Sequence, residues 1–306
     1  MADNDTQEQL GNIARPSHDP GVILPPQAGY VNSDSPEEKP CSTCGGDASM
    51  TITYVYAIGR VEARFPSLSI EKEFAQIGGR SDTAGKTDQQ VFYEIFSRPE
   101  NRYLARQMCW VFTIHELDTY ILVPRNPIDI DLLVSAIRSE TSDGDLDLVV
   151  GVLGPIAPPV MCNGLAVPVV AFDQIYSFTR QELIRAIPKP EKATKVKFEP
   201  AAEEMFDRII QLTDNAGATD EHRALNYLAA RYSKIFSKAV EQFDKDFSLS
   251  RIEVKPSNLS SARRILEVIF SYTDRKTDFT EKFFVRVDVN EEFPFMVTKL
   301  LPYFDL

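Results

Sequence analysis

From about residue 50 onward, apolar positions recur with strand or helix period, and before it they recur with neither. Met50 to Ile58 (MTITYVYAI) is rich in β-branched and aromatic residues and predicts a strand. Ser67 to about Gln76 reads as a helix, with Leu68, Phe74 and Ile77 as its apolar contacts. Thr87-Asp88-Gln89-Gln90 is a capping-box pattern. Thr87 can accept from the Gln90 amide while the Gln90 side chain reaches back, which opens a helix through Phe96. Pro99 ends that helix, and a short one is expected toward Gln107. Cys109 to Ile114 and Thr119 to Val123 are β-rich runs around His115-Glu116-Leu117-Asp118, a hairpin with a four-residue connection. Ile128 to Arg138 predicts a helix, Asp147 to Leu153 a buried strand, and Gly154 to Pro159 a proline-rich turn. Val167 to Phe172 predicts a further strand and Gln181 to Ala186 a short helix.

The second half carries clearer periods. Pro200 to Leu212 reads as one helix. From Asp220 to Phe247, Leu225, Leu228, Tyr232, Ile235, Phe236, Ala239 and Phe243 fall three and four apart, a single amphipathic helix of about seven turns. Thr219 and Asp220 offer its N-cap. Leu249 to Lys255, Ile265 to Thr273 and Phe283 to Val289 read as strands, with Phe293 to Leu300 as a further one. The expected class is α+β: a zinc-stapled first domain of mixed strands and helices (41–187), then a second domain (200–306) of long helices packed on an antiparallel meander. Pro188-Lys189-Pro190-Glu191-Lys192 marks a linker over 188–199. Residues 1–40, rich in Pro, Asp, Glu, Asn, Gln and Ser, read as a disordered tail, because too little apolar surface is available to offset the entropy of ordering.

Composition narrows the function classes. The chain has 306 residues and a formal net charge of −12. That balance argues against binding a phosphate backbone, which needs a basic face, and suits either simple solubility or a basic partner. No apolar run approaches the roughly 18 residues of a membrane span. The N-terminus, MADNDTQEQL, has the pattern of neither a signal nor a transit peptide, so a cytoplasmic location is expected.

Reduced thiols then favour metal binding over disulfides. Cys41-Ser42-Thr43-Cys44-Gly45-Gly46 has the form of a zinc knuckle, whose glycines let backbone amides turn toward the sulfurs. The usual second CxxC is absent. Cys109 and Cys162 stand 65 and 118 residues after Cys44, so folding would have to assemble the site. The preferred ligand set for a structural zinc is Cys41, Cys44, Cys109 and Cys162. Three cysteines with His115 are an alternative that strand geometry disfavours. Ordinary buried thiols at Cys109 and Cys162, or a redox CxxC, also stay open.

Catalytic patterns are missing. The histidines are His18, His115 and His222, and pairing Cys162 with either of the last two is the best nucleophile available. GxSxG, HExxH, GxGxxG and a correctly spaced P-loop do not occur. Gly78 to Thr87 ends in Gly-Lys-Thr, but Arg80 stands where the first glycine belongs. Asp129 and Asp131 near a helix start complement its dipole and form no acid–base pair.

Five strings carry a more specific signal: Tyr54 to Gln76, Asn101 to Ile114, Gly154 to Phe178, Leu212 to Tyr232 and Thr277 to Asp305. Together they resemble the C-terminal region of the cyanobactin maturation proteases PatA and PatG, where a region of unassigned role follows a subtilisin-like domain. The resemblance runs from about Cys41 to the C-terminus. Asp/His/Ser motifs of the protease are missing, and the stretch before Cys41 is too short to hold that domain. What the resemblance implies is a non-catalytic accessory or recognition protein that binds a precursor peptide or a subtilisin-like maturation protease. Self-association as a homodimer is compatible with it, and neither nucleic acid nor membrane is expected as a partner. The rival reading is a hydrolase or transferase using Cys162 beside the proline-rich turn.

Overall fold

β1 (Tyr54–Arg64) sets the architecture, because its alternate residues serve two different cores. Val55, Ala57, Val61 and Ala63 belong to one buried cluster and Tyr56 and Ile58 to another, as the period of two dictates. The computed structural model describes residues 52–78, 85–140, 142, 144–187, 195–211, 214–259 and 262–304. Met50 to Leu306 form one compact unit.

β1 closes into a five-stranded barrel with β2 (Cys109–Ile114), β3 (Leu117–Pro124), β4 (Asp145–Ile156) and β5 (Pro168–Thr179), in the order β1-β2-β3-β5-β4. Every neighbouring pair is antiparallel except β3 and β5. Trp110, Phe112, Tyr120, Leu122, Val149, Val170 and Phe172 share the interior cluster with the odd-numbered residues of β1. Helices α1 (Leu68–Gly78), α2 (Asp88–Phe96), α3 (Arg102–Ala105) and α4 (Ile130–Ala136) extend that core. Phe65, Phe74 and Phe92 meet there edge to face, with centroids 5.1–5.2 Å apart. The Thr87–Gln90 capping box opens α2 as its sequence requires.

On the opposite face of β1 and β4, a second core joins the barrel to α5 (Arg180–Ala186), α6 (Lys195–Ile210), α7 (Asp220–Arg231) and α8 (Lys234–Asp244). The same core continues into a second sheet of β6 (Phe247–Pro256), β7 (Ile265–Asp274) and β8 (Thr280–Asp288), with the two-residue strands β9 (Phe295–Met296) and β10 (Leu301–Pro302) both on β8. The helices therefore lie between barrel and sheet. Tyr56 and Val150 from the barrel, Phe206 and Phe236 from the helices, and Val268 and Val285 from the sheet are all members of one cluster. That cluster crosses the sequence boundary expected at 188–199. Of that stretch, 188–194 lie outside the described residues, as do the expected tail and the Cys41–Cys44 knuckle.

Three local expectations are corrected. The β2–β3 hairpin turns in two residues, not four: His115 (φ 50°) and Glu116 (φ 63°) are both left-handed, which a type I′ turn requires. The seven-turn helix is two helices. Tyr232 leaves the helical region (φ −119°, ψ 81°), its hydroxyl accepts the Leu300 amide at 3.1 Å, and α8 starts afresh at Lys234. The apolar spacing survives the break because both helices cover the same core. The helix expected from Pro200 begins earlier, at Lys195, with Pro200 inside it.

Barrel and helices are locked at Tyr56. β1 pairs with β2 only from Arg60 onward, which leaves the side of residues 54–58 away from β4 without a strand among the described residues. Residues 214–219 fill that seam. Tyr56 N–H donates to the Gly217 carbonyl at 2.9 Å, and Asn226 Nδ2 donates to the Tyr56 carbonyl at 2.9 Å. Asn226 and Asn215 exchange amide hydrogen bonds at 2.8 and 3.1 Å, and Tyr120 O–H donates to Ala216 O at 2.8 Å. Gly217 has φ +71°, and a Cβ there would stand 2.5 Å from Tyr56 O and 2.6 Å from Ala57 Cα. Gly217→Ala should therefore cost about 2–4 kcal/mol, combining left-handed strain with overpacking. Chemical denaturation checks it; a loss below the roughly 0.5 kcal/mol typical of surface changes contradicts the seam's role.

Candidate functional site

The region around Cys109 is built by the outward side of the barrel. Cys109 and Val111 on β2 and Ile121 on β3 face away from the interior and form a small third core with Ala157 and Cys162. The loop after β4 covers them. Ala157 N–H donates to Val167 O at 2.9 Å and Gly164 N–H to Pro159 O at 2.8 Å, while Asn163 (φ 49°) and Gly164 (φ 91°) take the left-handed turn. Met161-Cys162-Asn163-Gly164 is thus a tight turn that presents Cys162 inward, 6% exposed, against Cys109, 5% exposed. Their Cα atoms are 5.6 Å apart, and the structure joins them as a disulfide. A cavity of about 390 Å³ adjoins the pair, lined mainly by apolar side chains such as Met108, Ile121, Val123 and Met161.

Two of the four sequence-predicted ligands are therefore brought together. Cys41 and Cys44 lie outside the described residues. Among the described residues no group of three or more Cys, His, Asp and Glu could hold a metal ion. His115 sits at the far end of β2 from Cys109, and its Nε2 contacts Ile210 O at 3.2 Å. His222 lies in the first turn of α7, with its backbone amide on the Thr219 hydroxyl at 3.2 Å and its pKa lowered by burial. Cys162 is bonded to Cys109, and among the described residues no hydrogen bond joins it to either histidine.

A polar cluster that sequence reading missed lies at the junction of barrel and sheet. Arg125, just past β3, pairs with Asp173 of β5 at 2.5 Å and with Glu292 at 3.4 Å. Burial, and then a hydrogen bond with Asp173, push the Glu292 carboxyl up to about 7, against the opposing pull of Arg125. The backbone of that turn is held by Arg223, 1% exposed, which donates to the carbonyls of Val289 (2.8 Å), Glu291 and Glu292 (3.3 Å). Nothing in the spacing of Arg125, Asp173 and Glu292 signals their meeting.

The second sheet presents another feature. β10 pairs with β8 only at Phe283 and Phe284, so among the described residues Thr280 and Glu281 have a strand on one side alone. Phe279 (62% exposed) and Phe304 (80% exposed) flank this edge around a groove of about 630 Å³.

The family model described as PatG Domain matches residues 54–254. The chain belongs to the PatG domain family. Its fold is similar to a solved structure titled PatG Domain of Unknown Function, with TM-score 0.67 at 19% identity, covering 82% of this chain and 98% of that one. No curated protein matches. The matched stretch takes in the whole barrel, the helices and most of β6, so the interior cluster and the Tyr56 seam lie within the family's domain. No helix among the described residues of this PatG-family chain is long and apolar enough to cross a membrane.

The Arg125–Asp173–Glu292 cluster generates a pH test. A carboxyl whose folded pKa is raised contributes stability that is fully present below its unfolded pKa near 4.5 and is lost as pH rises toward about 7. Glu292→Gln should flatten the fall in stability across that window. Urea midpoints measured at each end check it, and an unchanged slope contradicts the assignment.

Proposed function

We propose that this chain is a non-catalytic accessory protein in the maturation of ribosomally made, modified peptides, and that it holds a precursor peptide in extended form. The cyanobactin link rests on the family's name. The observation that carries peptide binding is the half-paired start of β8: open backbone groups beside two exposed phenylalanines suit an added strand whose apolar side chains enter the groove. A subtilisin-like maturation protease is the partner that would receive the peptide. Cys162 is bonded to Cys109, and His115 and His222 contact Ile210 and Thr219, which favours a binding role over catalysis by that thiol.

We also propose that Cys41, Cys44, Cys109 and Cys162 bind one structural zinc when reduced. Cys109 and Cys162 are close enough to share one ion, and as thiolates they would supply half of a tetrahedral sulfur set. Zinc would add folding free energy and no catalytic step.

Two measurements test these readings. Fluorescence anisotropy with a labelled precursor peptide should show saturable binding that Phe279→Ala/Phe304→Ala weakens at least about tenfold, a loss of roughly 1.4 kcal/mol. Wild-type affinity in that variant contradicts the groove as the site. Metal analysis of protein purified under reducing conditions should give one zinc per chain, lost on Cys→Ser at any of the four positions. Retention of zinc in both the Cys109→Ser and Cys162→Ser variants removes them from the ligand set.

A further inference from the structure

The opposite edge of the second sheet carries a different signal. β6 is ten residues long and ends the strand order, bonded among the described residues to β7 alone. Long edge strands are normally blunted, since their free N–H and C=O groups template pairing with another chain. Here the register shift between Leu249 and Arg251 disrupts only the start, and Pro256 closes the end. Between them, Arg251 to Lys255 runs as regular strand.

Arg251, Glu253 and Lys255 sit opposite Ser271, Ile269 and Glu267 of β7, on the face away from the helices. Ile252 and Val254 are half-buried at the margin of the helix-side core. Lys255 is occupied: its ammonium contacts the Tyr303 hydroxyl at 2.5 Å and stands 4.7 Å from that ring's centroid. Arg251 and Glu253 make no side-chain hydrogen bond or ion pair among the described residues.

These two charges select an occupant. Two copies of β6 related by a two-fold axis through the sheet pair antiparallel about a single residue. Centring on Glu253 sets it against itself and Arg251 against Lys255, both like-charged. Centring on Val254 draws on Lys255, already engaged, and puts Pro256, which has no N–H, opposite Ile252. Centring on Ile252 sets Arg251 against Glu253 twice, once from each copy, with the two Ile252 side chains together. Of these registers, only that one sets opposite charges with no other hydrogen-bond or ion-pair partner among the described residues against each other.

We infer that β6 is a self-association edge, pairing with β6 of a second copy about Ile252 to make one continuous sheet across two chains. Opposite charges across neighbouring strands stabilise such pairing and like charges oppose it. The inference is independent of peptide capture at β8, which lies on the other edge.

Sedimentation equilibrium of the full chain over a concentration series tests it, with far-UV circular dichroism confirming the fold of each variant. Wild type should associate to a dimer. Arg251→Glu and Glu253→Arg should each weaken it about tenfold or more, because each turns both cross-strand pairs repulsive. The double variant R251E/E253R restores opposite pairing in the same register and should regain the dimer. A wild-type chain that stays monomeric throughout, single variants that dimerise as tightly as wild type, or a double variant that fails to recover would overturn the proposal.

Discussion

The structure depends on one seam, where residues 214–219 lie along the strandless stretch of β1. β1 divides its length between two partners, β4 over Tyr54 to Gly59 and β2 over Arg60 to Arg64. The first stretch would otherwise leave the Tyr56 amide and carbonyl buried and unpaired, at a cost of about 1–3 kcal/mol for each group. Gly217 O and Asn226 Nδ2 satisfy both, and Ala216 and Ala218 pack on the interior core. The barrel is therefore completed by backbone from the second half of the chain.

α7 carries this coupling in two directions. Asn226 reaches the barrel, while Arg223, one turn earlier, reaches the carbonyls of Val289, Glu291 and Glu292 beyond β8. A guanidinium suits that task because it offers several fixed donors to carbonyls that no strand partner serves. Burial lowers the Arg223 pKa, opposed by Asp220. The turn it holds delivers Glu292 to Arg125 and Asp173 on the barrel. Barrel, helices and sheet thus meet through polar contacts as well as through a common apolar core. The sheet's two edges face outward, which is why both proposed interaction surfaces fall on it.

Much of the local structure was legible. Thr87 and Gln90 cap α2 because a capping box needs only four neighbouring residues. β6, β7 and β8 follow from period-two patterning bounded by turns. The break at Tyr232 was not legible, because spacings of three and four continue across it and the partner of its hydroxyl, Leu300, lies 68 residues away. The two-residue turn at His115-Glu116 was missed because neither residue is the glycine or asparagine that usually marks left-handed backbone. At the candidate site, the bond between Cys109 and Cys162 was not legible: reduced thiols were expected to favour a metal over a disulfide, and the turn at Asn163-Gly164 that brings Cys162 against β2 is set by folding. Nor was the Arg125–Asp173–Glu292 cluster, since its members are separated by 48 and 119 residues.

By itself the sequence determined the α+β composition, most strand and helix positions, and the candidate thiols, because each depends on propensity, period or residue type over short spans. Tertiary structure alone decided that β1 to β5 close into a barrel, that one core spans both halves, and that residues 214–219 complete β1. It also decided which edges of the second sheet stay open. Hydrogen-bond partners on a strand's free side are set by whichever segment the rest of the fold brings there, and no local pattern encodes that.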